Sequence, residues 1–127
     1  MALQVQIQMI RSVGPVVEVW GKLMASGTYT TGLGGDTVNF LTATLDPSFS
    51  GPATTIESSQ QPFQFDVWSQ GGQNTDFYTA NLSNTTGPSN VQMMVSTALN
   101  TELTTQAYPA GVKADNIAFY AAFKKGQ

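Results

Sequence analysis

"LQVQIQMI", residues 3–10, alternates apolar and amide side chains without a break. Leu3, Val5, Ile7 and Met9 fall on one side, and Gln4, Gln6 and Gln8 on the other. A period of two belongs to a half-buried strand, because successive Cβ atoms leave a pleated chain on opposite faces. Gly14-Pro15 then turns the chain. "VVEVWGKLMA" (16–25) alternates again, with Val17, Val19, Leu23 and Ala25 inward and Glu18, Trp20, Lys22 and Met24 outward. Residues 3–25 therefore read as a strand pair, which sets the fold class as sheet.

The same signals continue outward from this pair. "TVNFLTATL" (37–45) reads as a third strand. Asp46 to Pro52 reads as a loop, its prolines unable to donate to a ladder. "TTIESS" (54–59) is a short strand. "PFQFDVWS" (62–69) places Phe63, Phe65 and Val67 opposite Gln64, Asp66 and Trp68. A turn at 71–74 returns the chain into "DFYTANL" (76–82) as its hairpin partner. After a loop at 83–90, "VQMMVSTAL" (91–99) is a strand, its tail compatible with a helical turn. Residues 99–115, with Pro109 and Gly111, form a loop with at most one helical turn. "NIAFYAAF" (116–123) is the last strand, and 124–127 is a polar tail. Seven or eight short strands between turn clusters, with no repeat of fixed period, predict an all-β chain. The pattern fits an antiparallel sandwich or barrel, and the expected architecture is the jelly-roll-like β-sandwich, one domain over residues 1–127.

Composition narrows the function. Of 127 residues only 10% are charged, and Thr, Ser, Asn and Gln take the place of the missing charge. Thr suits a pleated face, and a weakly charged surface suits a protein that lives inside an assembly. The net charge is -3, and five scattered bases (Arg11, Lys22, Lys113, Lys124 and Lys125) offer no stripe to a phosphate backbone. No nucleic-acid partner is expected. No apolar run approaches the ~20 residues that span a bilayer, so no membrane partner is expected. Met1–Ile10 lacks the charged start and continuous apolar run of a signal peptide.

Histidine and cysteine are absent. That removes the serine–histidine and cysteine–histidine nucleophile pairs and every imidazole or thiolate metal site. Carboxylate chemistry remains, through Glu18, Asp36, Asp46, Glu57, Asp66, Asp76, Glu102 and Asp115, but no pair shows a catalytic spacing. "DVWSQGGQNTD" (66–76) lacks the alternating carboxylates of a calcium loop. In "GTYTTGLGGDTVNF" (27–40), Gly34-Gly35 is followed by Asp36, a negative charge where a phosphate would sit, and the stretch opens a strand rather than a helix. Gly32, Gly34 and Gly35 therefore read as positive-φ positions in a connection that Tyr29 pins down. The expectation is no catalytic residue, no cofactor and no metal: not an enzyme. "NLS" (81–83) and "NTT" (84–86) match the glycosylation pattern and are read as coincidental.

Trp20 and Trp68 lie opposite the aliphatic stripes of their strands. Each is part of a second apolar layer or a partly covered sheet edge, or part of a contact surface, where exposed aromatics are favoured, or a platform on which a pyranose ring stacks. The candidate interface residues are Trp20, Met24, Tyr29, Phe49 and Trp68.

The start "MALQVQIQ", the run "VVEVWGKLMASGTYTTGLGG", the strand "DTVNFLTATL" and the closing "YPAGVKADNIAFYAAF" together resemble small structural proteins of tailed bacteriophages, specifically the capsid decoration (cement) proteins. The likeness rests on Thr28–Gly35 and Pro109–Lys125, within about the first 45 and last 20 residues. It implies a sandwich on the capsid exterior of the virion, a homotrimer that binds the major capsid protein and clamps neighbouring copies. Two other classes compete: a phage tail, fibre or carbohydrate-binding module, which requires an exposed aromatic row, and a small enzyme with paired carboxylates, which requires a cleft.

Overall fold

The computed structural model describes residues 3–29, 35–40, 43–50, 62–69, 77–82, 91–98, 101–108 and 117–124. They form strands throughout: β1 (Leu3–Val13), β2 (Val16–Ala25), β3 (Thr28–Tyr29), β4 (Asp36–Val38), β5 (Thr44–Ser50), β6 (Gln64–Ser69), β7 (Phe77–Asn81), β8 (Val91–Ala98), β9 (Thr101–Glu102), β10 (Gln106–Ala107) and β11 (Ile117–Lys124). The chain is all-β, as the periodicity predicts. A five-stranded sheet runs in the order β5-β1-β2-β11-β6, a second sheet runs β4-β8-β7 with β9 also on β8, and β10 pairs with β3.

The first hairpin follows directly from its sequence. Val13 pairs with Val16, so Gly14-Pro15 is a two-residue loop. Gly14 takes a φ of 57°, a value that costs glycine little, and the pyrrolidine ring fixes the next φ near −65°. This combination suits a II′ turn, whose twist matches that of the strands it joins. Along β2 the expected faces are realised: Val17, Val19 and Leu23 are buried.

β1 departs from its simple alternation. The register with β2 slips between Ile7 and Met9, so that Ile7 faces Gly21 and Met9 faces Trp20. One extra residue inverts every position beyond it. Met9, expected inward, is 40% exposed, and Ile10 takes its place in the core.

Further expectations are corrected. The sheet is mixed rather than antiparallel, because β5 runs parallel to β1. The expected strand 37–45 is two strands in two sheets, broken at Phe40, whose carbonyl accepts from the Ala43 N–H. Residues 44–50, mostly assigned to a loop, form β5, whose register jumps from Ile7–Leu45 to Met9–Ser50. Pro47 sits inside that jump on a strand with no further described neighbour, where a missing N–H is tolerated. Finally, β6 and β7 are not a hairpin: β6 pairs with β11 and β7 with β8. The helical turn allowed within 99–115 does not occur at 101–108, which hold β9 and β10. The candidate strand 54–59, the turn at 71–74, the loop 83–90 and the tail beyond Lys124 lie outside the described residues.

One buried cluster draws side chains from both larger sheets. From the first come Leu3, Val5, Val19, Leu23, Ile117, Phe119 and Phe123, and from the second Val38, Val91, Met93 and Val95. β1 passes close to β4, and β6 close to β7. Phe40 stands in this cluster with edge-on contacts to Phe65, Phe119 and Phe123 at 5.7, 5.5 and 5.4 Å between ring centroids.

Candidate functional site on the outer face of the five-stranded sheet

The ladders fix which side chains share the face turned away from this core. Three rows cross it. Asp66, Tyr120, Trp20 and Met9 form one row, and Trp68, Ala118, Lys22 and Gln6 the next. Gln64, Ala122, Glu18 and Arg11 form the third. Neighbours in a row stand about 5 Å apart and interact directly. Ala118 and Ala122 point outward yet are buried, covered by the larger chains around them.

Arg11 and Glu18 are the third pair back from the turn. The Arg11 Nη2 and Nε donate to Glu18 Oε1 at 2.6 and 3.0 Å. The Tyr120 hydroxyl donates to Glu18 Oε2 at 2.6 Å. The Arg11 guanidinium lies 5.6 Å from the Trp20 ring centre, within cation–π range, and Trp20 and Tyr120 are tilted together at 5.2 Å. The Tyr120 hydrogen bond, then that of Arg11, holds the Glu18 carboxyl below its ordinary value. The same bond to Glu18, with some burial, pushes the Tyr120 phenol up to about 12. Further along the face, Lys22 Nζ reaches Asp46 at 3.2 Å, and Gln64 Nε2 donates to Asp66 Oδ2 at 3.0 Å. Among the described residues no three carboxylates gather as a metal centre would need.

A second polar cluster is interior. Tyr108 donates to Asp36 Oδ2 at 2.6 Å, and Asp36 is itself buried. Tyr29 donates to Glu102 Oε2 at 2.5 Å and accepts from the Val95 N–H at 3.3 Å. The two phenol rings meet edge-on at 5.6 Å. Burial first, then the carboxylate bonds, raises both phenols far above their ordinary value of 10. These contacts tie β3 and Tyr108 to β4, β8 and β9. The cluster is structural in its chemistry: both hydroxyls are committed, and neither Tyr29 nor Tyr108 reaches solvent.

A pH dependence follows. The folded chain keeps both phenols protonated, so their linkage to stability is fully favourable below pH 10 and is lost as the pH rises above it. Alkaline titration is expected to show Tyr29 and Tyr108 ionising together with unfolding, whereas the more exposed Tyr120 ionises near its own value of about 12. Tyr108→Phe, which removes a bond to a buried carboxylate, is expected to cost about 2 kcal/mol in a urea melt. Independent, gradual ionisation of all phenols in a folded chain would contradict this account.

Of the five candidate interface residues, Trp20, Met24 and Trp68 lie on the outer face. Trp68 is 45% exposed, and Trp20 and Met24 are partly covered. Tyr29 is fully enclosed, so it serves the interior cluster and presents no surface in this chain. Phe49 lies on β5 and its side chain is outside the described residues. Arg11, Glu18 and Tyr120 were not singled out by sequence. The hairpin register alone makes Arg11 and Glu18 partners once Gly14-Pro15 is read as a two-residue loop. No local signal could place Tyr120 beside them. No family model, curated protein or solved structure matches the chain.

Proposed function

We propose that the chain is a structural subunit of a bacteriophage virion that decorates the capsid exterior and binds the major capsid protein as a homotrimer. In this reading the two larger sheets are the halves of a jelly-roll-like sandwich. The observation that carries it is the placing of exposed apolar side chains at the ends and edges of the five-stranded sheet. Val13 at the hairpin tip, Leu45 on β5 and Phe63 just before β6 are 49, 53 and 49% exposed. Apolar groups at several margins of a rigid sheet suit contact with more than one neighbour at a time, and many weak identical contacts on one shell add by avidity. The low charge and the resemblance at Thr28–Gly35 and Pro109–Lys125 support the same reading.

Light scattering on the purified chain from low to high salt tests it, together with co-sedimentation on empty heads assembled from the major capsid protein of the same genome. A trimer that resists salt and sediments with heads is the expected result. A chain that neither trimerises nor sediments with heads removes the proposal.

A further inference from the structure

We propose that the outer face of the five-stranded sheet carries a binding site for a neutral saccharide, centred on Trp68 and Asp66. The inference rests on the geometry of that face alone and is independent of the shell reading.

Trp68 presents the most exposed aromatic ring on this face. Asp66 stands two residues before it on the same strand, and so on the same face at roughly 7 Å. In the ladder Asp66 faces Tyr120, and Trp68 faces Ala118. A small residue beside the indole leaves that row low, and the phenol bounds it on the diagonal. The carboxylate is oriented by the Gln64 amide, which donates to one oxygen at 3.0 Å. An apolar ring face next to a fixed carboxylate meets the two needs of a pyranose: a surface for its C–H face and an acceptor for adjacent hydroxyls.

The charges of the face select against other ligand classes. Arg11 is paired with Glu18 and Lys22 with Asp46, so the positive groups of both rows are internally compensated. With Asp66 outside these two ion pairs the face carries a surplus carboxylate, which disfavours a polyanion, and its oriented amide and carboxylate groups suit a hydroxyl-rich ligand. A protein partner fits less well. Interface cores are depleted of charge, whereas here Asp66, Lys22 and Glu18 stand in the same or adjacent rows as the aromatic rings.

The chain has two tryptophans, which makes fluorescence a direct reporter. The full chain is titrated with neutral tetraoses of β-glucose, mannose, galactose and N-acetylglucosamine. At least one is expected to shift the emission in a saturable way, unchanged at high salt. Trp68→Ala, compared with the parent at matched folded fraction from urea melts, is expected to weaken binding at least tenfold by calorimetry, and Asp66→Asn to weaken it several-fold. In Trp68→Ala, where Trp20 is the one remaining indole, the emission shift should be lost. The proposal is overturned if no tetraose binds the unaltered chain, if Trp68→Ala binds as well as the parent, or if only a sulfated polysaccharide binds and salt abolishes it. None of these outcomes bears on trimerisation or on head binding.

Discussion

Gly21→Ala is expected to remove a large part of the stability of the chain. Gly21 lies mid-strand on β2, facing Ile7 across the slip in β1 and Phe119 on β11. Its backbone needs no positive φ, so the requirement is one of space. A Cβ there would overlap the Gln6 carbonyl oxygen and stand 2.9 Å from the Phe119 Cε1. The ring could turn, but the carbonyl cannot move without separating β1 from β2 at the point where their register already slips. Two strands of the five-stranded sheet and the buried ring of Phe119 are disturbed together. The cost is expected to be on the order of 4 kcal/mol or more, a large part of the total stability of a domain this size. Gly27→Ala supplies the control. Gly27 has a φ of 71° but open space where a Cβ would go, so only the backbone strain of about 1 kcal/mol applies. Far-UV circular dichroism and urea melts on both variants separate the two causes. A Gly21→Ala chain within about 1 kcal/mol of the parent would show that the β1–β2 contact is looser than described.

The fold was legible wherever its determinants are local. The alternation in 3–10 and 16–25, and the Gly14-Pro15 loop between them, needed nothing from the rest of the chain. Ile117–Lys124 was equally plain, and Val91–Ala98 was plain except at its tail, which strand and helical turn both fitted. β11 carries an almost unbroken apolar run because it lies between β2 and β6: Ile117, Phe119, Ala121 and Phe123 face the core, and Ala118 and Ala122 are covered by the larger side chains beside them. The errors fall where one residue changes face or sheet. A single extra position near Gln8 reversed Met9 and Ile10, and no composition signal announces a bulge in so regular a run. The break at Phe40 was hidden because "TVNFLTATL" has strand propensity throughout, whereas the core wanted one aromatic ring between two short strands. The partners of β6 and β7 are set by long-range pairing, which sequence neighbourhood misassigned as a hairpin. Pro47 argues against a ladder, yet an irregular stretch of a strand with no further described neighbour accepts it.

The candidate site was legible in the same proportion. The outward placing of Trp20 and Trp68 follows from strand periodicity, and the Arg11–Glu18 pair follows from the turn. What brings Trp20, Tyr120 and Asp66 into one row is the insertion of β11 between β2 and β6, a contact spanning most of the chain. Tyr29 shows the converse. Beside a glycine-rich stretch it resembles a surface anchor, yet its hydroxyl is aimed inward by Glu102 and the Val95 amide. Gly35 accords with the expected positive φ, at 102°, and a Cβ there would strike the Met93 carbonyl. Gly35 thus has a steric reason to be glycine, and Gly32 and Gly34 lie outside the described residues.

Phe40→Ala is the second substitution expected to have a large effect, for a different reason. Phe40 follows β4, a strand of the second sheet, but its ring meets Phe65 on β6 and Phe119 and Phe123 on β11, all in the first sheet. It is 2% exposed. Removing the ring opens a void between elements of both sheets and deletes three edge-on contacts. Large-to-small changes of this kind cost about 3–5 kcal/mol, and each aromatic contact adds roughly 1 kcal/mol beyond area burial. The upper half of that range is expected, because three rings lose the same partner and the backbone on either side is held by two different sheets, which limits collapse. Phe40→Leu keeps most of the volume and should cost about 1.5 kcal/mol. Crossing Phe40→Leu with Phe65→Leu should return a coupling of about 1 kcal/mol, since the rings are in contact. Urea melts with matched slopes measure all of these. A cost below about 1 kcal/mol for Phe40→Ala, or additive Phe40 and Phe65 effects, would mean that the joint between the sheets lies elsewhere in the cluster.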